Sequence, residues 1–159
     1  MNPSQAGPWI GDWMWSLPLI VLTIVIHVCG LAFIAERVIY RMGTGAAEQG
    51  RFLGKFALVM SVVSLMVSFL HGIEAGIWAF AYQFLHTMPD QKSAMLYSLG
   101  AMTSYGHANL YLEPKWQLMG ALEALNGMLL FGLSTAFLFA MIQRVWPLGS
   151  REWHLARGA

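Results

Sequence analysis

The sequence predicts an all-α membrane protein: three transmembrane helices, with a re-entrant helix and a polar loop between the second and third. Three observations lead there. The chain of 159 residues is 57% hydrophobic and 11% charged, with mean hydropathy +0.56, whereas soluble domains carry about 25% charged residues. One domain of this length has no core large enough to hide that much apolar surface, so lipid is the expected solvent. Three apolar runs each reach the roughly 20 residues that a bilayer-spanning helix needs. Basic residues gather on one side of those runs.

The first run covers residues 17–35, with His27 its only acidic or basic residue. Trp9, Trp13 and Trp15 precede it, as in an interfacial aromatic belt. The first basic residue, Arg37, follows the run. A secretory signal places basic residues before its apolar stretch, so this run is expected to stay as a membrane helix. The second run, 56–85, is interrupted by His71 and Glu74 and is longer than one span requires, which predicts tilt or projection beyond the bilayer. The third, 118–145, carries Glu123 and Arg144, and Trp146 and Pro147 close it.

Orientation follows from charge. Arg37, Arg41, Arg51, Lys55, Arg144, Arg151 and Arg157, seven of the nine basic residues, flank the first loop and the C-terminal end. Lys92 and Lys115 lie on the other side. Positive loops stay in the cytoplasm, which predicts an inner (plasma) membrane protein with its N-terminus outside and its C-terminus inside. The expected division is 1–54 for an additional span and loop, 55–147 for a central module, and 148–159 for a tail too short to hold a ligand-binding domain.

Between the last two spans, Pro89-Asp90 reads as a helix start. "QKSAMLYSLGAM", 91–102, is apolar but too short to cross. "TSYGHANL", 103–110, follows it. Irregular backbone at membrane depth survives only when buried in protein or lining a water-filled cavity, so this octet is a candidate pore lining. The end of a preceding helix carries partial negative charge and favours a nearby cation.

The rest of the composition excludes several classes. A formal net charge of +1 gives no case for nucleic-acid binding. Cys29 is the one cysteine, so an intrachain disulfide and a multi-cysteine metal site are excluded; it is expected to be a small apolar helix residue. His71, Glu74 and Trp78 share a helix face. A His/Glu pair at such spacing can bind metal, but no second pair exists in the chain, and the expected role is packing, with no cofactor and no catalytic residue. Gly72/Gly76 and Gly132/Ala136 have the small-residue spacing of close helix contacts.

From residue 97 to 146 the chain resembles the pore module of bacterial potassium-channel-type proteins. In that family a pore helix ends in a Thr-Thr-Val/Leu-Gly-Tyr-Gly-Asp filter. A Ser-Pro-Glu-Trp-like turn and a Leu-Glu-Ala-x-x-Gly inner helix follow. Here Thr103 and Ser104 fall on the threonines, Tyr105 on the Val/Leu and Gly106 on the first glycine. His107 falls on the tyrosine, Ala108 on the second glycine and Asn109 on the aspartate. Pro114 and Trp116 match the turn; Leu122-Glu123-Ala124 and Gly127 match the inner helix.

The resemblance implies a homotetramer around one central pore, passing monovalent cations (potassium, and sodium if selectivity is reduced) without enzymatic activity. It implies Thr103 to Asn109 as the filter, and Glu123, Asn126, Glu74, His71 and Trp78 as its support. Gly127 and Gly132 become possible hinges of the inner helix. Ala108 puts a left-handed penalty of roughly 1–2 kcal/mol where the family has glycine. His107 removes the tyrosine that helps hold the family's filter open, and Asn109 removes an acidic charge. Altered selectivity is therefore expected. The competing readings are a non-conducting relative acting as a structural subunit, and a haem- or metal-binding membrane protein using His27, His71 or His86.

Overall fold

The computed structural model describes residues 9–43, 52–106 and 109–157, and no strand occurs among them. The filter candidates His107 and Ala108, and the loop residue Arg51, lie outside the described residues. Among the described residues there are four α-helices and one short 3₁₀ turn: α1 (Ile10–Gly43), α2 (Phe52–Phe84), α3 (Gln91–Met102), the turn Pro114–Trp116, and α4 (Gln117–Arg157).

Among the described residues, three helical stretches are long and apolar enough to cross a membrane: Ile10–Tyr40, Leu53–Phe84 and Pro114–Val145, of 31, 32 and 32 residues. At 1.5 Å per residue each is about 46–48 Å long, against about 30 Å of hydrocarbon. Each is thus long enough to project past the bilayer or tilt within it. The first differs from the sequence expectation at its start. The helix begins at Ile10, seven residues before the expected run, and takes Trp13, Trp15 and Pro18 inside it. Proline lacks an N–H, so Pro18 costs one backbone bond without ending the helix. Pro147 likewise does not close the last helix, which continues to Arg157.

The short helix α3 coincides with the apolar segment 91–102. Asp90 is its N-cap: its carboxylate accepts from the Ser93 backbone N–H at 2.9 Å and from the Ser93 hydroxyl at 2.7 Å. Those bonds hold the exposed Asp90 carboxyl below its ordinary range. The cap is therefore present above that range and is lost on acidification.

The chain's contacts separate it into two units. The first comprises Met1–His27 and Leu70–Gly132. Its core is Trp78, Tyr82, Tyr97, Ala101, Leu112 and Met119, with Leu19 and Ile20 packed against it. Tyr82 and Tyr97 meet edge-to-face at 5.3 Å, a favoured geometry for aromatic pairs. The second unit comprises Val28–Phe69 and Leu133–Ala159. Leu31, Ile34, Val63, Val67, Met141 and Val145 are buried within it.

Two glycines of α4 differ sharply. A Cβ on Gly127 would stand 2.6 Å from the Met102 Cα, and closer still to the Met102 carbonyl oxygen, whereas a Cβ on Gly132 would meet nothing beyond its own helix within 4 Å. Gly127 thus lets α4 approach the last turn of α3. The Gly72/Gly76 pair also meets nothing within 4 Å, so those small residues make no close helix contact among the described residues.

Gly127→Ala is expected to destabilise by about 1–3 kcal/mol through overpacking. Gly132→Ala is expected to be neutral or to gain up to about 1 kcal/mol of helix propensity. Thermal and denaturant unfolding of the purified protein in detergent measures both. Equal effects would show that contact with α3 does not govern Gly127.

Candidate functional site

The polar groups of the first unit form three linked sets, each tying one helix to another. The first joins α1 to α4. Asp12 is buried, and its carboxylate accepts from the Met119 backbone N–H at 2.9 Å. That N–H is among the donors left over at the start of a helix, and negative charge there is favoured by the helix dipole. Two turns further along α4, the Asn126 amide donates to Thr23 Oγ1 at 2.8 Å. The Thr23 hydroxyl in turn lies 2.9 Å from the Leu19 carbonyl.

The second set centres on Glu123, fully buried in α4. Tyr82 of α2 donates to Glu123 Oε2 at 2.6 Å. Ser98 of α3 hydrogen-bonds Glu123 Oε1 and also lies 2.8 Å from the Ala75 carbonyl oxygen. The proton count is informative. A serine hydroxyl has one proton, and here it faces two oxygens, a carbonyl and a carboxyl. Both contacts become hydrogen bonds when Ser98 donates to Ala75 and the Glu123 carboxyl supplies the second proton. A neutral Glu123 also avoids several kcal/mol of effective desolvation cost for a buried ion.

The third set joins α1 to α2. His27 Nδ1 lies 2.7 Å from Glu74 Oε1, with both side chains fully buried. His71, one turn before Glu74, places its Nδ1 3.2 Å from Oε2, close enough for an ion pair but off the direction of a hydrogen bond. The imidazoles stand 5.0 Å apart, and His71 stacks on Phe131 at 4.4 Å. Possible ligand atoms of His27, His71 and Glu74 all lie within 4.8 Å of one another.

The segment after α3 is shaped by these supports. Thr103 and Ser104 N–H groups bond back to Leu99 and Ala101 carbonyls at 3.0 and 3.1 Å. Ser104 is left-handed, with φ +55°. This is a helix ending in which the next N–H, that of Tyr105, would take the Gly100 carbonyl. Here Gly106 takes it instead, at 3.3 Å. Gly106 is also left-handed, at φ +90°, and so is Asn109, at φ +62°. Glycine bears that conformation freely, whereas Ser104 and Asn109 bear a penalty of roughly 1–2 kcal/mol each. The carbonyls of Thr103, Ser104, Tyr105 and Gly106 are not used by these bonds, and all four residues are exposed, Tyr105 at 88%.

The sequence-predicted residues therefore fall into separate places. Thr103 to Gly106 and Asn109 lie along one irregular segment. Glu123 and Asn126 stand one turn apart on α4 with different partners. His71 and Glu74 sit together with His27, a residue that sequence spacing left isolated. Trp78 is fully buried in the core, and its indole N–H has no partner among the described residues. His86 is not part of the cluster: it is the left-handed residue (φ +55°) ending α2, where Thr87 N–H bonds the Tyr82 carbonyl at 3.0 Å. Ser98, Tyr82, Asp12 and Thr23 were not legible as partners, because each pairing spans tens of residues.

The described residues form an all-helical structure with three membrane-crossing candidates. Comparison with protein-family models, curated proteins and solved structures finds no match.

A protonated Glu123 carries an infrared carboxylic C=O band at neutral pH, and Glu123→Gln is expected to remove it. Glu123→Ala leaves the Tyr82 hydroxyl without its acceptor and Ser98 Oγ without its donor, at about 1–3 kcal/mol for each group left unsatisfied. It is expected to melt well below Glu123→Gln, which keeps one carbonyl acceptor. Absence of the band in the wild-type spectrum would assign the second proton elsewhere.

Proposed function

We propose that the chain is the subunit of a homotetrameric, passive cation channel whose ion path is lined by residues 103–109. The observation that carries this reading is the ending of α3. A twelve-residue helix stands between two membrane-crossing candidates, capped by Asp90 at its start and bonded to Glu123 through Ser98. It delivers an exposed segment in which left-handed Ser104 and Gly106 alternate with Tyr105, and whose carbonyls accept no backbone N–H among the described residues. A helix C-terminus and such carbonyls are both partial negative charges, suited to a dehydrated monovalent cation.

Four copies are needed because one segment offers one side of a cation's coordination shell. Single-chain features support that assembly. Tyr105, Leu96 and Leu99 are exposed, so one side of α3 and its following segment is uncovered by the described residues. Gly72, Gly76 and Gly132 leave room for another helix to approach. The orientation is N-terminus outside and C-terminus cytoplasmic, from the basic asymmetry, which places α3 and residues 103–109 toward the outer side.

The filter differs from the potassium-channel pattern at His107, Ala108 and Asn109, and selectivity follows from those differences. Asn109 forgoes four acidic charges around a tetrameric mouth, which lowers local cation concentration. The wild-type pore therefore passes both potassium and sodium. Reconstitution into liposomes with opposed potassium and sodium gradients measures this, alongside native mass measurement of the oligomer. The triple change His107→Tyr, Ala108→Gly, Asn109→Asp is expected to raise potassium-over-sodium preference. A monomeric protein with no flux in either form contradicts the channel reading and favours a non-conducting structural subunit.

A further inference from the structure

We infer that His27, His71 and Glu74 form a binding site for a first-row divalent transition metal, which clamps the first span to the second. This does not rest on the channel reading; it rests on side-chain placement alone.

Three facts point to a metal. The donor set is two imidazoles and one carboxylate, a combination that binds zinc with an open fourth position in known catalytic sites. Both rings turn Nδ1 toward the same carboxylate, one toward each oxygen, at 2.7 and 3.2 Å. Tetrahedral zinc with bonds of about 2.0–2.1 Å holds its ligand atoms about 3.3 Å apart, so the 2.7 Å pair opens by about 0.6 Å and ligand atoms that stand up to 4.8 Å apart close by up to about 1.5 Å. Finally, Glu74 Oε2 is buried and accepts no hydrogen bond among the described residues. A carboxylate oxygen left in that condition is costly in an apolar helix, and a cation satisfies it.

The surroundings suit an ion that enters from one side. His27 and Glu74 are fully buried, whereas the His71 side chain is 12% exposed. Water or hydroxide reaches the fourth position past His71, and hydroxide would offset the charge left by two neutral imidazoles, one carboxylate and a divalent ion. Phe131 stacked on His71 fixes that ring's plane, as the supporting residues of metal-binding histidines commonly do. Imidazole and carboxylate ligands bind a metal in their deprotonated forms, so affinity rises with pH.

The test uses the full chain, purified in detergent, stripped by chelator and titrated with zinc. One equivalent per chain is expected, with a raised thermal midpoint and weaker binding at lower pH. Cobalt in place of zinc is expected to give the visible absorption of a tetrahedral nitrogen/oxygen site. His27→Gln retains a hydrogen-bonding group for Glu74, and His71→Gln retains a polar side chain; each is expected to weaken zinc binding more than about 100-fold, beyond the 10–100-fold typical of losing a supporting residue. His86→Gln, outside the cluster, leaves binding unchanged. Should the variants fail to fold, X-ray absorption of the wild-type zinc complex decides: two imidazole shells support the site. Less than half an equivalent of zinc on the wild type, sulfur in its shell, or full retention by a folded His27→Gln/His71→Gln double variant overturns it.

Discussion

Glu74 and Glu123, the two fully buried carboxyl groups described in the first unit, constrain the rest of it. Both sit in apolar helices, and an isolated ionised carboxylate in that setting costs several kcal/mol even after relaxation. Each must draw its partners from other helices. Glu123 gathers a tyrosine from α2 and a serine from α3; Glu74 gathers a histidine from α1 and another from its own helix. A hydrophobic face slides against lipid or a neighbour with little change in energy. A carboxyl hydrogen-bonded to a group on another helix does not, so these groups set the register of the helices they join.

That register decides what the end of α3 can do. Ser98 ties the middle of α3 to α4, and Gly127 brings α4 against Met102, the helix's last residue. With both fixed, the chain leaves α3 through a left-handed Ser104 and reaches a left-handed Gly106. The conformational penalty at Ser104 is similar in size to one buried hydrogen bond, so the supports are sufficient to sustain it. The α1 contacts add to the same frame. Asp12 caps α4 and Thr23 holds Asn126, so the first helix contributes polar anchoring as well as apolar surface.

Much of this order was legible locally. The bounds of α3 follow from Asp90 and from an apolar stretch too short to cross a bilayer, and the three long helices follow from hydropathy. Glu123 stands out because a carboxylate inside an apolar run needs a reason. What escaped were partners distant in sequence. Helical spacing pairs His71 with Glu74, but nothing in spacing brings His27 to a residue 47 positions away. Asp12 and Met119 are 107 positions apart, and the donor is a backbone N–H that every residue possesses. The end of the last helix misled for a different reason: Pro147 is a strong stop signal in isolation, yet the helix continues to Arg157. Glycines were read as close contacts or hinges from their spacing, whereas the packing separates them: Gly127 faces backbone, Gly132 faces open space.

The central claim is that the buried supports hold the carbonyls of residues 103–106 ready for a dehydrated cation. Isotope labelling of the Tyr105 and Gly106 carbonyl carbons, followed by solid-state NMR of the protein in lipid, tests it most directly. On replacing an impermeant organic cation with potassium, both carbonyl resonances are expected to shift saturably, and Glu123→Ala is expected to broaden or abolish the response. Carbonyl resonances that stay fixed across the potassium titration, in folded wild-type protein, would contradict the account.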